Sequence, residues 1–207
     1  MPVRLVSHPV AEDALLTLRD AQTPPIEFRR AARRISTIVL AEALRDVPTG
    51  RRTVQTPLEP VEGAAIAGDV VIVPVLRAGL GMLEAALDLV PAARVGHLGF
   101  KRDETTAVAS RYYAHLPEQI GSSFVLLIDP MLATGGSAVA SLDLLVAAGA
   151  RNLRLACIVA APEGIAAIED RHPGVHIYTP AVDRALNARK FILPGLGDFG
   201  DRLYGTV

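Results

Sequence analysis

From Asp69 onward the chain alternates short apolar runs with longer stretches whose apolar positions recur three or four residues apart. The runs are Val70–Val73 (VVIV), Ala93–Phe100 (ARVGHLGF), Phe124–Asp129 (FVLLID) and Leu153–Ala160 (LRLACIVA). Each is rich in Val, Ile and Leu, the pattern of strands covered on both faces. Helical spacing follows most of them, over 79–90, 135–148 and 162–170. The alternation predicts an α/β fold, a central parallel sheet flanked by helices. Ahead of it, 11–46 has helical spacing, with Leu15, Leu16 and Leu18 early and Ile35, Ile38 and Val39 later. Thr23-Pro24-Pro25 breaks that segment, and Thr23 is the expected cap of its second part.

Three stretches depart from the rhythm. "VPTGRRTVQTPLEP" is turn-rich and then extended, "DETTAVASRYYAHLPEQ" reads as a β-arm projecting from the sheet, and "NARKFILPGLGDFGDRLYGTV" holds too many glycines for a helix. One domain over 1–207 results, with a helical amino-terminal segment (about 1–60), the arm (about 102–117) and a carboxyl-terminal segment (about 178–207).

Composition narrows the class. No apolar run in the 207 residues approaches the roughly 20 that a membrane span needs, and the first residues lack the order of a signal peptide, so a cytoplasmic protein is expected. Cys157 is alone, which excludes an internal disulfide and a cysteine metal cage. The five histidines show no ligand spacing, and a net charge of -1 argues against nucleic acid as a partner.

The chemistry gathers at strand ends, where open parallel sheets bind ligands. In "VLLIDPMLATGGSAVASLDLL" a strand delivers Asp129, then Ala133, Thr134, Gly135, Gly136 and Ser137 turn into a helix. Helix-start N–H groups, close backbone approach at glycine and two hydroxyls make an anion cup. It lacks the lysine of an ATP-type P-loop. Arg77 in "VIVPVLRAGLGML" and Lys101 and Arg102 in "GFKRDETT" stand at the ends of other strands. Should these strands be neighbours, the cup, an acid and two arginines converge on one crevice, with charge enough for more than one phosphate. Gly195–Gly200 spells G-x-G-x-x-G, but only seven residues follow, so a dinucleotide site is excluded.

Together these segments resemble the uracil phosphoribosyltransferases, in the type I phosphoribosyltransferase fold. "DPMLATGGS" is similar to that family's sugar-phosphate loop, and "VPVLRAGLGM", "LVAAGA", "VAAPEGIAAIE", "YTPAVDRALN" and "ILPGLGDFGDRLYGT" follow in the family's order. The "PGLGD" tail is the specific part. Asp-Pro, where most type I relatives carry two acids, also matches the uracil enzymes. The resemblance implies transfer of phosphoribosyl from 5-phosphoribosyl 1-diphosphate (PRPP) to N1 of uracil, yielding UMP and diphosphate in pyrimidine salvage. It implies that Asp129, Pro130, Met131, Leu132, Ala133, Thr134, Gly135, Gly136 and Ser137 hold the donor. Asp129 would meet the ribose hydroxyls, and Arg77 and Arg102 the diphosphate. Asp198 would bind the donor directly or through Mg²⁺, with no metal held by a side-chain cluster of its own. Uracil would lie against Ile192, Gly197, Asp198 and Phe199 in the carboxyl-terminal segment, read mainly by backbone groups. The resemblance extends to GTP as an activator, and the apolar amino-terminal half to a homodimer or homotetramer. Arg184, Ala185 and Ala188 depart from the family's usual pattern. Arg111, Tyr112 and Tyr113, on the arm, are the candidate lid over the site. Two other readings stay open: an enzyme of this fold for another base, and a nucleotide-responsive regulator without catalysis.

Overall fold

The computed structural model describes residues 3–102 and 109–206, with backbone alone for 101, 102, 109 and 110. A short strand, β1 (Val3–Leu5), precedes two helices, α1 (Pro9–Arg19) and α2 (Pro25–Ala43). His8 caps α1, its Nδ1 accepting from the Val10 N–H at 3.1 Å. Thr23 does not cap α2. Thr23 and Pro24 each precede a proline, which disfavours helical backbone at both, so the helix starts at Pro25. The Thr23 hydroxyl instead donates to the Thr17 carbonyl at 2.7 Å and fixes the turn between the helices.

The helix expected within 11–46 ends at Ala43, and the chain continues into the stretch expected to be turn-rich and extended. It then forms an exposed antiparallel hairpin of β2 (Thr49–Gln55) and β3 (Pro60–Ile66). Pro48 cannot continue a helix, and Thr56 closes the hairpin by bonding Glu59.

There follow β4 (Val70–Leu76), α3 (Leu80–Leu89), β5 (Arg94–Val95), β6 (His97–Arg102), β7 (Ala109–His115) and β8 (Phe124–Ile128). After them come β9 (Met131–Leu132), α4 (Gly136–Ala147), β10 (Asn152–Ala156), β11 (Val159–Ala160) and α5 (Pro162–Arg171). The chain closes with β12 (His176–Thr179), β13 (Ala181–Val182), β14 (Ala185–Leu186), β15 (Ile192–Leu193) and α6 (Phe199–Tyr204). The tail's glycines thus do not preclude a helix: they precede and end α6, at Gly197 and Gly205, apart from Gly200 in its first turn.

The main sheet runs β1-β12-β10-β8-β4-β6-β7, parallel except where β7 returns against β6. That return is the expected arm; residues 103–108 of it lie outside the described residues. Side chains alternate between two cores. Val70, Ile72, Leu126 and Ile128 face α1, α2, α3 and α6; Val71, Val73, Val125 and Leu127 face α4 and α5. Two of the expected runs are not single strands. The first bends at Gly96 into β5 and β6, and the second breaks at Cys157-Ile158 into β10 and β11. The second break belongs to a step across the sheet: β8, β10 and β12 end together and restart as a small parallel sheet, β9-β11-β13.

Phe28, with no exposed surface, meets Phe199 edge-to-face at 5.2 Å and so ties α2 to α6 beneath the carboxyl-terminal loop. Phe28→Ala is expected to cost about 3–5 kcal/mol of stability, read from urea unfolding.

Candidate active site

The pairing of Ile128 with Pro74 on one side and Ala156 on the other sets Asp129 on the lip of the sheet, between two other strand ends. Its N–H donates to the Ala156 carbonyl at 3.1 Å. In the step, Pro130 brings no N–H that would need an acceptor, and its carbonyl accepts from both Ile158 and Val159. Asp-Pro therefore suits a strand break with a single acid on it. Protein packs closely around the Asp129 carboxyl, and this desolvation pushes its pKa up to about 7; the Met131 N–H at 3.5 Å pulls weakly the other way. Beside it, burial pushes the Cys157 thiol up to about 12, so Cys157 is the inert small hydrophobe that its strand context predicts.

From β9 the chain turns through Ala133–Gly135 into α4. Gly135 has a φ of 81°, the left-handed region, and a Cβ there would lie 2.8 Å from that of Ala167. No side chain caps α4. Its first N–H groups are left for a ligand, the Gly136 N–H reaching only Thr134 Oγ1 at 3.4 Å.

The loop after β4 carries Arg77 across a cis peptide from Leu76. A Cβ on Gly79 would stand 2.6 Å from the Ile128 carbonyl oxygen, so only glycine lets this loop lie against the end of β8, next to Asp129. Arg77 is exposed and donates to Asp201 Oδ1 at 3.3 Å; the Tyr204 hydroxyl donates to the Arg77 carbonyl at 3.4 Å. Asp198 caps α6 by accepting from the Asp201 N–H at 2.9 Å. Arg77, Asp198 and Asp201 are thus assembled around one short helix. Arg102 ends β6, which pairs with β4, but its side chain lies outside the described residues.

In the carboxyl-terminal segment, Gly197 and Asp198 are exposed, whereas Ile192 is buried and the Phe199 ring is spent on Phe28. At 1% exposure, Phe199 offers no side-chain surface to a ligand. Tyr178 is buried on the α2 side, with Arg4 stacked over its ring at 6.0 Å.

The family model for uracil phosphoribosyltransferase matches residues 5–206, nearly the whole chain. The chain belongs to the uracil phosphoribosyltransferase family. Relatives of that name from Dictyoglomus turgidum and Symbiobacterium thermophilum are 47% and 46% identical over 205 residues, with 99% of this chain covered and 99% and 98% of theirs. A solved structure from Aquifex aeolicus superposes with a TM-score of 0.93 at 37% identity, covering 98% of this chain and 97% of that one. An adenine phosphoribosyl transferase from Trypanosoma brucei shares the fold alone, with a TM-score of 0.58 at 14% identity over 87% of this chain and 84% of its own.

Within this family member the fold brings together Asp129, the Ala133–Ser137 loop and Arg77 at adjacent strand ends, as the sequence suggested. It adds Asp201 and Tyr204, which the sequence reading passed over. They stand more than 120 residues from Arg77, and nothing in the local pattern of α6 marks them.

Asp129 makes stability depend on pH. An unfolded Asp ionises near 3.8, the folded carboxyl near 7. Between those values the folded state keeps a proton that the unfolded chain has released, so stability falls as pH rises from about 4 to 7. Asp129→Asn is expected to gain on wild type by on the order of 2 kcal/mol across that window, a shift trimmed by the carboxyl's partly open side. Denaturation at pH 4.5 and 7.5 checks it; parallel curves would refute the assignment.

Proposed function

We propose that this chain transfers the phosphoribosyl group from PRPP to N1 of uracil, yielding UMP and diphosphate. The observation that carries the reading is the junction of three strand-end features in a chain that matches the family over residues 5–206: the uncapped start of α4, the single acid Asp129, and Arg77 beside it.

The α4 start and the Thr134 and Ser137 hydroxyls suit a dianionic 5-phosphate. Asp129 follows the end of β8, just before the β9 segment that leads into the Ala133–Ser137 loop, and its carboxylate form eases positive charge as the sugar loses its leaving group. Arg77 answers the charge that builds on the departing diphosphate, with Arg102 as its expected partner. Asp201 holds Arg77 from the side, which limits the directions in which its guanidinium can point. Uracil presents a donor at N3 between acceptors at O2 and O4. The exposed main chain at Gly197 supports reading that edge through backbone N–H and C=O, which would leave groups unpaired with cytosine.

Mg²⁺ fits this donor set as part of the substrate complex. Among the described residues no three metal-ligating side chains cluster, while Asp198 keeps one oxygen beyond its capping bond. One or two carboxylates plus phosphate oxygens are what Mg²⁺ ordinarily takes. When bound it neutralises charge on the leaving diphosphate.

An assembly of at least two copies is also part of this reading. The β2–β3 hairpin is exposed along nearly its whole length, with Val54, Val61 and Leu58 open to solvent, and a lone hairpin is marginal in water. Light scattering showing a monomer at working concentration would remove it.

The deciding assay is UMP formation from PRPP with uracil, cytosine, hypoxanthine or orotate, with Mg²⁺ or EDTA, and with or without GTP. Mg²⁺-dependent turnover of uracil alone is expected; turnover of another base, or of none, would overturn the reading. Arg77→Ala and Asp198→Asn should each lower turnover by about 10²-fold. Asn caps helices as well as Asp, so the second change tests the charge and leaves α6 intact.

A further inference from the structure

The loop that carries Gly197 and Asp198 is held in place by side chains from distant parts of the chain. Asp183, only 7% exposed, follows β13 and is anchored there, its N–H donating to the Ala160 carbonyl at 2.8 Å. Its carboxylate takes a forked pair of bonds from Arg19, the last residue of α1: Nη2 to Oδ1 at 2.7 Å and Nη1 to Oδ2 at 2.8 Å. Both main-chain polar groups of Gly195 complete the ring. Its N–H donates to Asp183 Oδ2 at 2.8 Å, and its carbonyl accepts from Arg19 Nη1 at 2.8 Å. A second arginine grips the next residue: Arg202 donates to the Leu196 carbonyl at 2.8 Å and to the carbonyls of Leu18 and Asp20 at the end of α1. Its guanidinium lies 4.5 Å from the centre of the Phe28 ring.

This is more restraint than a surface turn requires. Gly195 and Gly197 both have positive φ, 60° and 80°, and a Cβ on Gly195 would come within 2.2 Å of the Ile192 carbonyl oxygen. Gly-Leu-Gly is among the most mobile sequences a loop can have, and ordering it costs entropy at each residue. A site that reads its ligand through main-chain groups cannot correct a wandering backbone with a side chain. Its selectivity depends on that backbone being fixed beforehand. The ring also has a reference point. Asp183 hangs on β11, and β11 pairs with β9, which leads into the Ala133–Ser137 loop. Gly195 is thereby registered against the loop assigned to the sugar phosphate.

We infer that Arg19 and Asp183 are positioning residues for base recognition: by clamping Gly195 they set the main-chain groups of Gly197–Phe199 relative to the donor loop. The inference rests on the reading that the base lies against those groups. It makes α1, far from the site in sequence, part of the specificity apparatus.

Steady-state kinetics on purified full-length protein tests it, with uracil and PRPP varied in turn and cytosine as competitor base. Replacing a buried ion pair by apolar residues of similar size is often neutral for stability, but the Gly195 N–H and carbonyl also lose their partners, so Arg19→Met/Asp183→Leu should fold with a Tm lowered by several degrees. It is expected to raise KM for uracil by about tenfold or more, to change KM for PRPP by about twofold at most, and to narrow the preference for uracil over cytosine. Arg19→Lys keeps the charge but cannot fork across both carboxylate oxygens and the Gly195 carbonyl. It should show the same split in milder form, and it carries the test should the double variant unfold. A folded variant with unchanged KM for uracil, or with both KM values rising together, overturns the inference. Gly197→Ala separates the two levels. If it raises KM for uracil while the Arg19 variants do not, the clamp alone is refuted. If it leaves KM for uracil untouched, the base lies elsewhere and the clamp falls with that reading.

Discussion

Parallel strands that stop together leave a row of unpaired main-chain groups, and how this protein satisfies that row shapes most of what surrounds it. At the step, β8, β10 and β12 hand over to β9, β11 and β13 through Asp129-Pro130, Cys157-Ile158 and Pro180. The bonds across it shift by one strand: Asp129 donates to Ala156, Cys157 to Tyr178, and Ile158 and Val159 share the Pro130 carbonyl. Two prolines at the handover remove donors that would have lacked acceptors. With the backbone satisfied, the step leaves one acid on the lip and aims the following loop at the helix start.

A second consequence concerns charge. The sheet interior is apolar on both faces, so Asp129, at its edge, is poorly solvated and resists ionisation. A cation is supplied from outside the sheet. Arg77 arrives on a loop held against the Ile128 carbonyl by the absence of a side chain at Gly79, and α6 steadies it through Asp201 and Tyr204. The helix α6 has only six residues, too few to be stable alone. It persists because Asp198 caps it and Phe199 anchors it in the core. One short element therefore serves three ends: it orients a cation, presents a carboxylate and closes the hydrophobic core over α2.

The amino-terminal helices gain a role from the same arrangement. They cover one face of the sheet, and the end of α1 receives Arg202 and supplies Arg19, so the carboxyl-terminal loop is built upon them. Residues 164 and 184 positions apart in sequence meet there. Only the closed fold can make such contacts.

Much of the molecule was legible along the chain. Two-sided apolar runs specified the central strands, helical spacing the layers, and the Asp129–Ser137 stretch its turn into a helix, because each depends on residues within a few positions of one another. The shortest elements were not legible. The strands β1 and β12 have three and four residues, and α6 looked too rich in glycine. Each owes its form to a neighbour: β1 pairs with β12, and α6 rests on Phe28. The stretch after residue 46 reads as turn-rich and extended, but its pairing into the hairpin β2–β3 is not written in it, and Thr23 reads as a cap that its following prolines forbid. By itself the sequence determined the layers, the glycine turn into α4, the acid that precedes it and the resemblance that names the family. Tertiary structure alone decided which arginine faces which carboxylate and what holds the Gly-Leu-Gly loop. Such pairings are set by strand order and helix packing, and a charged side chain carries no local sign of the partner that the rest of the chain will bring to it.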